Sequence, residues 1–154
     1  MVMRVYIDTS VVGGFFDSEF ASETKALFER LKKGEIVFVI SSVLQQELRN
    51  APRHVQELLS SYGRECFEYV LLTQEAIELA NYYIAENVVG KTSIEDCWHI
   101  AIATLNKVDV LASWNFRHIV NLGKIKGYNG VNMKNGYTVI EIRTPKDLVC
   151  HEND

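Results

Sequence analysis

The chain of 154 residues holds only 2 prolines and 9 glycines, which excludes collagen-like, low-complexity and linker-dominated architectures. Its 3 cysteines, at positions 66, 97 and 150, are odd in number and lack C-x-x-C spacing. A disulfide framework or thiolate zinc site is therefore not expected, and the thiols read as reduced groups of a cytoplasmic protein. Long apolar runs are also missing. The longest is the five residues Ile36–Ile40, against about 20 for a spanning helix, so no membrane insertion is expected. Asp8 breaks the N-terminus before a signal-peptide apolar region could form. There is no G-x-S-x-G nucleophile elbow and no G-x-G-x-x-G, so acyl transfer and dinucleotide binding lose their usual signals. Gly90-Lys91-Thr92 resembles the tail of a Walker A loop, but Ala85 stands where its first glycine is needed and no strand precedes it.

What remains is the composition of an ordinary folded domain: 47% apolar, 10% aromatic and 23% charged residues. The length suits one domain spanning 1–154, able to bury roughly 68–70% of its unfolded surface. The net charge of −4 is unevenly spread. Residues 1–90 carry 8 Lys/Arg against 13 Asp/Glu, and residues 91–154 carry 8 against 7. Carboxylates gathered to bind cations would produce that imbalance, and so would plain solvated helix faces.

Strand and helix signals alternate along the chain. Val2–Ile7 reads as a buried strand that stops at capping residues Asp8-Thr9-Ser10, and apolar positions at helical spacing from Ser22 end at Gly34. Ile36–Ile40 is apolar on both faces, as a parallel strand covered on each side must be. Ser42 opens a helix, with Gln45 as capping-box partner, that ends at Pro52. A helix over His54–Tyr62, a strand over Phe67–Leu72, a helix capped by Thr73 and another from Ser93 to about Asn106 follow. Val110–Ala112 and Tyr137–Ile142 complete five strands, and the glycine-rich stretch Gly123–Gly136 reads as a loop. This alternation predicts an α/β layer fold with a mostly parallel central sheet of about five strands.

In such a sheet, ligands collect beyond the carboxyl ends of the strands. Three acidic residues map there: Asp8 after the first strand, Glu47 on the helix after the second, and Asp96 on the first turn of the helix before the fourth. The helix from Gln74 descends roughly 18 Å if it ends near Ala85, and the seven residues Glu86–Thr92 can span up to about 23 Å, enough to return. An all-carboxylate set suits a hard cation: Mg²⁺ takes oxygen ligands and is held by one or two carboxylates with substrate phosphate. Each residue alone also has a structural reading, and it is their coincidence at one sheet edge that raises the functional one. Asp8 could cap a turn, Glu47 could be a solvated helical residue, and Asp96 could pair with Ser93 in a capping box. His99 follows Asp96 on the same helical face and, without a second histidine, reads as a hydrogen-bonded core or rim residue. Trp98 and Trp114 could stack on bases, though packing is the commoner role.

The segments VYIDTSVVGGFFD, SSVLQQEL, IEDCWHIAIATLNKVDVLASWNFRHI and NGYTVIEIRTP, taken in order and spacing, resemble a PIN-domain protein of the kind found among toxins of type II toxin–antitoxin pairs. The resemblance spans nearly the whole chain and implies a three-layer α/β/α sandwich and a ribonuclease dependent on Mg²⁺ or Mn²⁺. It carries the family's acidic positions onto Asp8, Glu47 and Asp96 as metal ligands, and its supporting hydroxyl onto Ser10. The fourth acidic position falls on Asn115, an amide that can ligate or hold water but brings no negative charge. The resemblance further implies an RNA substrate, a small antitoxin partner and a homodimer. Arg117, His118, Lys124, Lys126 and Lys134 are candidates for contacting the RNA backbone, or form a solvated basic loop. Two other readings stay open: a catalytically weak or inactive PIN-like RNA-binding or regulatory module, which Asn115 favours, and a phosphatase, which the lack of a D-x-D pair after the first strand opposes.

Overall fold

The computed structural model describes residues 2–149. Cys150, read above as a free thiol, lies outside them; Cys66 and Cys97 are buried and unpaired by disulfide. The sheet has the order β3-β2-β1-β4-β5, with β1 Met3–Ile7, β2 Ile36–Ser41, β3 Phe67–Val70, β4 Val110–Ala112 and β5 Ile142–Arg143, every pair parallel. The helices are α1 Thr9–Gly14, α2 Ala21–Lys32, α3 Ser42–Leu48, α4 Arg53–Glu57, α5 Gln74–Ala85, α6 Ile94–Leu105, α7 Leu122–Lys134 and α8 Pro145–Val149.

Strand side chains alternate between two cores, as the period of two requires. Tyr6, Val39 and Leu111 point to one face, covered by α5, α6 and α7, while Val5, Ile7, Phe38, Ile40, Val110 and Ala112 point to the other, covered by α1, α2 and α8. The three-layer α/β/α sandwich is therefore present, with a sheet that is parallel throughout among the described residues.

Several boundaries depart from expectation. Thr9 and Ser10 do not merely cap: they open α1, with Asp8 as an extended N-cap residue. The α3 cap is Ser41, whose hydroxyl accepts from the Leu44 amide at 3.2 Å, while Ser42 Oγ accepts from Leu72 N across the loop. Pro52 begins α4 instead of ending α3, which stops at Leu48. The helix expected over His54–Tyr62 is α4 followed by a 3-10 turn at Leu59–Ser61. Of the strand expected over Tyr137–Ile142 only Ile142 pairs with β4, and the pairing runs one residue past the expected end, to Arg143.

The largest correction is α7, which occupies the stretch read as a loop. Its glycines weaken the helix by about 1 kcal/mol each relative to alanine, but Asn121 caps it by accepting from Lys124 N, and Tyr128, Val131 and Asn132 are buried. Tyr128 packs edge-on against Tyr83 of α5 with ring centroids 5.0 Å apart. A side chain at Gly127 would sit 2.8 Å from Val88, so this glycine permits the close approach.

Candidate active site

The site is built at the switch point of the sheet, where the chain leaves β1 for β2 on one side and β4 lies on the other. Parallel pairing sets Ile7 opposite Ala112, so the residues that follow, Asp8 and Ser113, meet at the carboxyl edge. Ser113 Oγ donates to Asp8 Oδ2 and Ser10 Oγ donates to Asp8 Oδ1, each at 2.6 Å. Ser10 Oγ in turn accepts from Trp114 N at 2.8 Å, and Ser113 Oγ accepts from Asn115 N at 2.9 Å. Asp8 is only 4% exposed, and burial pushes its carboxyl above the ordinary range, against the pull of His99 and the two serine hydroxyls.

Glu47, on the last turn of α3, is half-buried and points toward the same edge. Thr9 Oγ1 donates to its Oε1 at 2.7 Å, and His99 Nε2 lies 2.6 Å from that same oxygen. Burial would raise this carboxyl, but the hydrogen bond and charge of His99, with the Thr9 hydroxyl, prevail and hold it below the usual range. His99 is 2% exposed, and its Nδ1 lies 2.6 Å from the hydroxyl of Tyr6, which donates to Ser41 Oγ at 2.8 Å. A buried chain Ser41–Tyr6–His99 thus runs from the sheet to Glu47. The core reading of His99 holds, and its core role is to fix an acidic residue of the edge.

Asp96, in the first turn of α6, is partly buried, and the Ser93 side chain makes no cap bond, so the proposed capping box does not form. Burial raises the Asp96 carboxyl; His99 and His118 oppose the rise, while the charges of Asp8 and Glu47 add to it. The three carboxylates are therefore near enough to feel one another. Asn115 approaches Asp96 Oδ1 through Nδ2 at 3.5 Å, a long contact, and spends its Oδ1 on the amide of His118 at 2.9 Å.

All five expected site residues, Asp8, Ser10, Glu47, Asp96 and Asn115, gather at this edge. Sequence reasoning missed Ser113, Thr9 and Tyr6. The signal for Ser113 was its place immediately after β4, the mirror of Asp8 after β1; Tyr6 carried none, since a tyrosine inside a strand reads as core. Of the two tryptophans, Trp114 is buried against Phe20 with centroids 4.3 Å apart, so it packs and is not available to a base.

The donor set is all oxygen and anionic, and among the described residues no Lys or Arg forms an ion pair with Asp8, Glu47 or Asp96. Carboxylates with no lysine or arginine to neutralise them fit a divalent cation. Among the described residues no three His, Cys, Asp or Glu side chains lie close enough together to hold a metal ion between them. Such a site would hold an ion through one or two carboxylates and leave the rest of its shell to water and phosphate.

No family model matches the chain and no curated protein matches it. Solved structures do. The chain is similar to the Mycobacterium tuberculosis toxin VapC20, described as cleaving the sarcin–ricin loop, with TM-score 0.57 and 12% identity over 73% of this chain and 91% of that one. It is similar to VapBC2 of Rickettsia felis, solved with a DNA fragment of its promoter, with TM-score 0.56 and 13% identity over 92% and 98%. It is also similar to FitAcB of Neisseria gonorrhoeae, with TM-score 0.59 and 13% identity over 92% and 97%. At such identities the likeness is one of fold, and the fold of this chain is that of these three structures.

Proposed function

We propose that the protein is a ribonuclease dependent on Mg²⁺ or Mn²⁺, acting as the toxin of a toxin–antitoxin pair. The observation that carries the reading is the gathering of Asp8, Glu47 and Asp96 at one strand edge with His99 but no lysine or arginine against them, on a fold shared with a toxin named for cleaving the sarcin–ricin loop. Asp8 and Asp96, the two carboxylates that burial raises, are the residues that would hold the cation. When bound, the cation would polarise the scissile phosphate and lower the pKa of an attacking water.

The chain's own groups do the rest. Ser10 and Ser113 fix both oxygens of Asp8, which removes the rotamer freedom that would otherwise be lost on binding. His99 and Thr9 keep Glu47 ionised and turned to the edge, where it can accept a proton from water. A pocket of about 320 Å³ opens on the side of Glu47 lined by Gln46, Asn50 and Trp98, without reaching Asp8 or Asp96. Asn115, committed to the His118 amide, positions the turn after β4 and adds no charge, so one cation is expected, not two. The neighbours solved as VapBC2 and FitAcB motivate a small antitoxin as partner, and a homodimer in the cytoplasm completes the proposal.

The test is cleavage of single-stranded RNA with Mn²⁺ by the parent and by Asp8→Asn, with Mn²⁺ titrated calorimetrically into both. Loss of cleavage and of the binding heat in the variant is the expected result. Undiminished cleavage by a folded Asp8→Asn protein would refute the assignment, and a parent that binds RNA but no Mn²⁺ would make it a binding module.

A further inference from the structure

Phe116 follows Asn115 directly and is 51% exposed. It does not stand alone. Its ring centroid lies 6.2 Å from the partly buried Phe20 and 6.2 Å from the buried Trp114, which are themselves stacked, so the outermost ring rests on an aromatic base. That base is tied to the carboxylate edge: Trp114 N donates to Ser10 Oγ, the hydroxyl that holds Asp8, and Trp114 Nε1 donates to Thr24 Oγ1 at 2.9 Å. The turn carrying Phe116 is pinned as well, since the Asn115 carbonyl accepts from Ile119 N at 3.1 Å and Val120 N at 2.8 Å. The ring is therefore held in place at one residue's distance from Asn115, about 3.8 Å between α-carbons. Arg117 beside it is exposed and, among the described residues, pairs with no carboxylate.

A fixed, solvent-facing aromatic ring flanked by a free guanidinium is the combination that binds single-stranded nucleic acid: the ring stacks on a base and the cation takes the phosphate. A base hangs from the sugar adjoining its phosphate, so a strand with one phosphate at the carboxylate edge brings a neighbouring base to the ring. We infer that Phe116, backed by Phe20 and Trp114, is the stacking platform for the nucleobase next to the scissile phosphate, with Arg117 on the adjoining phosphate. This rests on the ribonuclease reading for the identity of the strand. Because stacking is blind to base identity, the platform anchors the substrate in register without choosing its sequence.

The test uses a short single-stranded RNA and a set of the same strand carrying one abasic ribose at each position in turn, with any cleavage site mapped using the parent. Dissociation constants are measured with EDTA, and KM and kcat with Mn²⁺, for the parent, Phe116→Ala, Phe116→Leu and Phe116→Trp. Expected is a loss of affinity of about 5- to 150-fold in Phe116→Ala, seen in Kd and KM while kcat holds. Phe116→Leu should lose nearly as much, Phe116→Trp should restore binding, and one abasic strand should bind the parent as weakly as the intact strand binds Phe116→Ala. If the parent cleaves but Phe116→Ala binds all the strands like the parent, the platform is wrong and the ribonuclease reading stands. If the parent never cleaves yet its base-dependent affinity vanishes in Phe116→Ala, the platform stands and the catalytic reading fails. A parent without base-dependent affinity, or a Phe116→Ala variant changed only in oligomeric state by light scattering, overturns the platform.

Discussion

Removing one oxygen atom from Tyr6 tests the buried chain behind Glu47. In Tyr6→Phe the ring still fills its place in the core, where Tyr6 is fully buried, and no charge is lost, since burial pushes the phenol well above its ordinary pKa. Two hydrogen bonds disappear, to Ser41 Oγ at 2.8 Å and to His99 Nδ1 at 2.6 Å. Ser41 keeps a partner, because its hydroxyl still accepts from Leu44 N. His99 does not: its ring is 2% exposed, so water cannot replace the lost hydroxyl at Nδ1. Leaving one buried polar group unpaired costs about 1–3 kcal/mol. For a domain of this size each kcal/mol lowers the melting temperature by roughly 2–4 °C, so a fall of about 2–12 °C is expected. Thermal unfolding by circular dichroism measures it, with Tyr137→Phe as control. The Tyr137 hydroxyl bonds Glu75 at 3.0 Å near the surface, so that change should stay within about 0.5 kcal/mol. A Tyr6→Phe protein melting within a degree of the parent would show that the hydroxyl does not hold His99, and the account of how Glu47 is positioned would go with it.

Three further outcomes are expected. Burial raises the folded-state pKa of Asp8, so its ionisation opposes folding, and the penalty is absent below the unfolded value near pH 4 and grows as pH rises through the raised one. Cation-free Asp8→Asn should therefore match the parent in urea unfolding at pH 3.5 and exceed it at pH 7.5; a variant weaker only at pH 7.5 would reverse the sign. Gly14→Ala would place a Cβ 2.8 Å from the Trp114 ring and 3.0 Å from Thr24 Oγ1. The ring must shift, at about 1–3 kcal/mol measurable in a urea midpoint, and an unchanged midpoint would mean that Trp114 is not fixed. Asn121→Ala removes the α7 cap and should cost about 1 kcal/mol, with faster amide exchange confined to the start of that helix; uniform protection along α7 in the variant would count against the cap.

How much could be read in advance depended on how local each cause was. Thr73 was legible as a cap, and its hydroxyl does accept from Ala76 N, because the partner is three residues away. Gly34 was legible as a helix stop, and its φ of +77° is the left-handed conformation that glycine tolerates. Ile36–Ile40 was legible as a strand because a run apolar on both faces needs cover on both. Helix α7 was not legible, since the Tyr83–Tyr128 contact and the buried Asn132 that overcome its glycines join parts of the chain far apart in sequence. The short α1 and the two-residue β5 carry too few residues to show a period.

The site divides along the same line. Residue types and spacing alone determined the α/β alternation and the placing of Asp8, Glu47 and Asp96 near strand ends. Only the tertiary structure decided that Ser113 would meet Asp8 across 105 positions, that His99 would turn its two nitrogens to Tyr6 and Glu47, and that Phe116 would stay in solvent while Trp114 was buried. The physical reason is that apolar periodicity and capping act over a few neighbouring residues. Strand register and burial are set by partners that the sequence places far away and folding brings together.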